Sequence, residues 1–172
     1  MAIIKPNNNT ISAITALPAA ISTGKVLQVV TAVDTGGRQT TSTSFVTASN
    51  TATVNITPSA TSSKIYVVCS GNIHCNDGND GWYATIYRGS TNLGQASKGL
   101  AHGNSVPGVS ANYSSSCMTI LDSPNSTSQQ TYQLYVRVSD IDGDGGNVSI
   151  GYNVSGDTDY IPTHITAFEI GA

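Results

Sequence analysis

The side chains with the clearest chemical potential lie in DIDGDGGN, residues 140 to 147, where Asp140, Asp142 and Asp144 alternate ahead of a glycine run. That spacing matches the first half of the EF-hand calcium loop, D-x-D-x-D-G. A complete loop also needs a bidentate Glu at position 12, which falls on Gly151 here, and a helix on each side. The flanks read as strands, so the EF-hand reading fails. What remains is a hairpin loop whose three close carboxylates would favour a hard cation, with Asp157 and Asp159 near enough in sequence to add a ligand. The alternative is a solvated turn in which Asp and Gly supply left-handed backbone. Calcium at Asp140, Asp142 and Asp144 is the one cofactor suggested, and none is required.

A second Asp-Gly theme runs through HCNDGNDGW, residues 74 to 82, and marks a tight or mobile loop. Trp82, the only tryptophan, and Tyr83 beside it could form a platform on which a sugar ring stacks. A lone Trp opening a strand more commonly belongs to a core or an interface, and that reading is favoured for Trp82. His74 and Cys75 together make only a two-ligand fragment, too little for zinc. Of the three cysteines, Cys69 and Cys117 adjoin apolar runs and are expected as buried free thiols, whereas Cys75 is expected in a polar loop.

Catalysis finds no support. The nucleophile elbow G-x-S-x-G is absent, the histidines at 74, 102 and 164 are scattered, and neither H-E-x-x-H nor a P-loop occurs. No pair of carboxylates is singled out for glycoside cleavage. The chain reads as a non-enzyme.

The elements that must position these residues are short strands. KVLQVVTAV (25–33) is Val-rich, and SFVTAS and ATVNIT flank Asn50 like the arms of a hairpin. SKIYVVCSG (63–71) has the continuous apolar centre expected of a strand covered on both faces. TYQLYVRVS (131–139) alternates most clearly, with Tyr132, Leu134, Val136 and Val138 on one side. WYATIYRG, CMTILD, NVSIGYNV and HITAFEI complete a set of about nine strands, and no window carries a helical period. The expected fold is all-β, a jelly-roll-like β-sandwich over residues 24–172.

Residues 1–23 differ. Their stretch ISAITALPAAIS is interrupted by Pro18 and is too small to bury itself, so Ile11, Ile14, Leu17 and Ile21 are expected to form an extended N-terminal assembly arm that packs on a partner. The first ten residues lack the apolar core of a secretory signal, and no stretch approaches a membrane span. With 10% charged residues, a net charge of −3 and basic side chains that never cluster, nucleic-acid binding is excluded. Ser and Thr make up about a quarter of the chain, a composition common on extracellular and virion β-proteins.

Several phrases occur in order: TGKVLQVV, TPSATSSKIYVV, IYRGSTNLG, ILDSPNSTSQQTYQLYVRV and the terminal ITAFEIGA. Together this series resembles the C-terminal β-domains of tail-fibre and other virion surface proteins of tailed bacteriophages, of the marine type. The resemblance implies a homotrimer made in a host cytoplasm and carried on the virion surface, in contact with other virion proteins and facing the host. A short arm without a repeat shaft departs from a long fibre and suits a capsid decoration or a small fibre subunit equally. The alternative expectation is a lectin-like adhesion module that binds host-surface glycans without a structural role.

Overall fold

The computed structural model describes residues 25–48, 52–76, 80–104, 112–139, 143, 146–151 and 160–171. The assembly-arm residues Ile11, Ile14, Leu17 and Ile21 and the carboxylates Asp140, Asp142 and Asp144 lie outside the described residues. Among the described residues every regular element is a strand. In chain order these are β1 (Lys25–Asp34), β2 (Arg38–Thr40), β3 (Val46–Thr47), β4 (Thr53–Ile56), β5 (Lys64–Cys75) and β6 (Trp82–Arg88). There follow β7 (Thr91–Asn92), β8 (Ala101–Gly103), β9 (Asn112–Asp122), β10 (Gln130–Val138), β11 (Val148–Ile150) and β12 (Thr163–Gly171).

They form two six-stranded antiparallel sheets packed as a β-sandwich. The first is organised on the long β5, whose one edge carries β9 over its whole length. Its other edge is shared: β12 takes residues 64 to 70 and β11 takes residues 73 to 75. Beyond β12 lies β1, and beyond β11 lies β2. The second sheet is organised on β10, with β6 on one edge and β3 and β4 on the other. β7 and β8 extend β6 at opposite ends.

Alternation determines which side chains meet between the sheets. Tyr132, Leu134, Val136 and Val138 of β10 face Ile65, Val67 and Cys69 of β5 and Ile165 and Ala167 of β12 across one buried cluster. Complete burial of an aliphatic side chain stabilises by about 1.5–3 kcal/mol, so this interior supplies the main driving force. One end of the layer is closed by polar groups. Arg88 pairs with Asp122 at 2.7 Å, and the Tyr132 hydroxyl donates to the same carboxylate at 2.7 Å. This ion pair spans the two sheets, and the buried Tyr132 phenol is held protonated, first by burial and then by its bond to Asp122.

Three expectations are corrected. SFVTAS and ATVNIT do not pair with each other. β3 and β4 both run antiparallel to β10, at Val136 to Tyr135 and at Gln133 to Gln130, as successive pieces of one edge strand. Their apolar alternation reads alike for a hairpin or an interrupted strand. Nor is the strand within SKIYVVCSG covered on both faces: Ile65 and Val67 are buried, whereas Tyr66 between them is 37% exposed. Finally, the cysteines at 75 and 117 exchange places. Cys75 is buried at the end of β5 and Cys117 is exposed on β9, because Cys117 points to the outer face of its strand.

Candidate interaction faces

Each sheet turns one face to the core and one away, and both outer faces carry features that a merely solvated surface lacks. On the first sheet the register sets Val29 opposite Phe168, Phe168 opposite Tyr66, and Tyr66 opposite Leu121. Since cross-strand neighbours share a face, these four side chains form a continuous row across β1, β12, β5 and β9. Val29, Tyr66 and Leu121 are all exposed, at 54%, 37% and 52%. The Tyr66 and Phe168 rings lie 6.2 Å apart. Val26 and Val33 on β1 extend the apolar surface, also exposed. Beside the row, Thr31 and Thr166 share a hydroxyl–hydroxyl contact of 3.0 Å, and Lys64 is the cation at one end of β5. Scattered exposed apolar residues are ordinary; a row across four strands, three of its side chains exposed and Phe168 half-buried, is a candidate contact face.

The outer face of the second sheet is aromatic. Gln133, Tyr135 and Arg137 on β10 point away from the core, as do Tyr83 and Tyr87 on β6, because their neighbours along each strand are the buried ones. Tyr87 and Tyr135 stack at 3.9 Å with ring planes 19° apart. Phe45, arriving from the segment before β3, tilts toward Tyr87 at 6.4 Å and 59°. The Arg137 guanidinium lies 4.5 Å from the Tyr83 ring centre and 5.6 Å from that of Phe45, within cation–π range of both.

Arg137 also binds the loops on either side of the sheet. Its Nε donates to the Ser97 carbonyl at 3.0 Å and its Nη1 to the Thr43 carbonyl at 3.0 Å. Both loops are internally braced. Ser44 N–H donates to Ser42 Oγ, which in turn donates to the Ser44 carbonyl. Gln95 Oε1 accepts from the N–H and hydroxyl of Ser97. Gly99, at φ +69°, makes the return of the second loop against β6, where a Cβ would come within 2.3 Å of the Ala84 carbonyl oxygen. Between the loops lies a cleft of about 440 Å³ lined by Phe45, Tyr87, Ser97 and Arg137 together with Thr43, Ser44 and Ala96.

Of the residues suggested from sequence as a sugar platform, Tyr83 joins this outer face and Trp82 does not. Trp82 is 2% exposed, packed in the core on Gly103, and its indole N–H has no hydrogen-bond partner among the described residues. A Cβ at position 103 would sit 2.2 Å from that nitrogen, so glycine there is a packing requirement. His74, at the far end of β5, is buried and stacks on Tyr113 at 4.2 Å; burial lowers its pKa. Among the described residues no three His, Cys, Asp or Glu side chains converge as a metal site.

Sequence reading missed Phe45, Tyr87, Tyr135 and Arg137. The available signal was the polar-side alternation of β10, Gln133-Tyr135-Arg137, in which aromatic and cationic residues occupy the solvent side of a strand. Neither the protein-family models nor the curated proteins compared with the chain match it, so both faces are read from their own residues.

Proposed function

We propose that the chain is a self-associating structural subunit of a bacteriophage virion surface, a tail-fibre or decoration protein that assembles as a homotrimer. One observation carries the self-association: the apolar row of exposed Val29, Tyr66 and Leu121 with half-buried Phe168 on the outer face of the first sheet. A second copy is the occupant that suits it. The face is nearly free of charge, so two such surfaces meet without repulsion or stranded ions, and desolvation of its apolar side chains drives association. Its four strands, at about 4.8 Å spacing, make the row about 15 Å wide.

The strand order supports the virion reading at the level of fold. Among the longer strands, order β1-β12-β5-β9 in one sheet and β4-β10-β6-β8 in the other supports a jelly-roll reading of the sandwich. Such sandwiches recur in viral capsids and in lectins, an argument by analogy. Sedimentation velocity of the full chain tests self-association, with a trimer expected for the native protein. Tyr66→Lys combined with Leu121→Lys should give a folded monomer. A native chain that stays monomeric at micromolar concentration overturns the proposal, and immunogold labelling that never decorates phage particles overturns the virion assignment.

A second reading, a lectin-like adhesion module without a structural role, is favoured by the aromatic cleft on the opposite sheet. A monomeric chain that saturates with a glycan would select it.

A further inference from the structure

We infer that the cleft between the 42–45 segment and the 95–98 loop is a subsite for an acidic saccharide, its sugar ring on Phe45 and Tyr87 and its carboxylate toward Arg137. The inference rests on the adhesion reading and is independent of self-association, since the cleft and the apolar row lie on opposite sheets.

The volume, about 440 Å³, is within the range of small-molecule sites and suits one or two pyranose rings. The walls provide what a pyranose requires. A sugar ring has an apolar C–H face and an equatorial belt of hydroxyls, so it pairs with an aromatic face flanked by hydroxyls and carbonyls. Phe45 and Tyr87 meet at 59°, giving two ring faces at an angle, while Thr43, Ser44 and Ser97 line the rim. Tyr87 is backed by Tyr135 at 3.9 Å, which fixes its ring before any ligand arrives. The bracing of both rim loops adds to that preorganisation and lowers the ordering cost of binding.

The charge selects among saccharides. Among the described residues Arg137 is the charged residue that lines the cleft, and no carboxylate of theirs lines it. Its contacts are carbonyls, Ser97, Thr43 and Val138, and ring faces, Tyr83 and Phe45. These orient the guanidinium without neutralising it. Of its five N–H hydrogens, four are directed at those carbonyls, by Nε, by Nη2 once and by Nη1 twice, which leaves one on Nη2. A part-buried, oriented cation with a spare donor recognises an anion, and a carboxylate accepts a charge-assisted bond. A neutral sugar would use the rings but not the charge.

The experiment is a titration of the full chain, followed by ligand-observed and amide NMR, with a panel of hexuronate- and sialate-terminated disaccharides, each beside its methyl ester. We expect saturable shifts in the 42–45 and 95–98 segments for acidic members, with affinity reduced about tenfold or more by esterification. Phe45→Ala, at a partly exposed loop position, should abolish the response, and Arg137→Gln, which removes the charge, should erase the preference for acid over ester. The sedimentation behaviour of both variants should be unchanged. Equal binding of acid and ester overturns the acidic assignment while leaving adhesion intact. Absence of saturable shifts with every panel member, acid or ester, overturns the site and the adhesion reading together.

Discussion

Glu169 shows how far one side chain can matter here. It is 1% exposed and points into the sandwich from β12, where Ser59 donates to it through both its N–H, at 2.7 Å, and its hydroxyl, at 2.6 Å. Burial alone would raise its pKa, but these bonds outweigh it and hold the carboxyl below its ordinary 4.5. The folded group thus binds its proton less readily than the unfolded one. Its contribution is complete above the unfolded value and is lost as pH falls through the lower, folded one. Thermal melts should therefore lose stability below about pH 4.5, and Glu169→Gln should flatten that acid limb while lowering stability at neutral pH by about 2 kcal/mol. The thiols give a second check. Cys117 is exposed while Cys69 and Cys75 are buried, and burial, with Cys117 adding to it, pushes Cys69 up to about 12. A maleimide should label one thiol rapidly in the native protein and all three after unfolding. At this scale the sequence was only partly informative. Trp82 in the core followed from residue type, but Cys75 and Cys117 were assigned to the wrong environments, because adjacency to an apolar run does not say which way a side chain points.

Among the strands, β5 makes the most demanding contacts, with β9 on one edge and β12 and β11 sharing the other. Its inward and outward residues should respond differently to truncation. Ile65→Ala, at a position with no exposure, should destabilise by about 3 kcal/mol in a urea melt. Tyr66→Ala, next to it on the outer face, should leave the melt of the dissociated chain within about 1 kcal/mol and weaken self-association instead. The polar bridge between β9, β6 and β10 is a separate test. Asp122→Ala strands both Arg88 and the Tyr132 hydroxyl, and the loss should be about 2–3 kcal/mol, reduced by the 24% exposure of the Arg88 side chain. Most strands were legible because alternation is a local property. The pairing of β3 and β4 with β10 was not, since a partner some eighty residues away leaves no mark on a short apolar stretch. The apolar centre of β5 misled for a related reason: a strand whose outer side is apolar but uncovered and a strand under a second layer have the same composition.

For the whole molecule, composition and periodicity led to an all-β sandwich, and two facing sheets are what the chain forms. The cleft was illegible because it needs residues from β6, β10 and two separate loops, which only the folded register brings together. The same register joins the two ends of the domain: β12, the last of the described strands, is inserted between β1 and β5, with Lys25 opposite Gly171. During synthesis, then, β1 must wait for a neighbour that leaves the ribosome only when translation of the domain is nearly finished. Nascent chains interrupted before residue 163 would leave a gap in the middle of the first sheet and should be cleared by proteases. Closure of the first sheet thus waits on the strand that lies farthest along the domain from the one it must join.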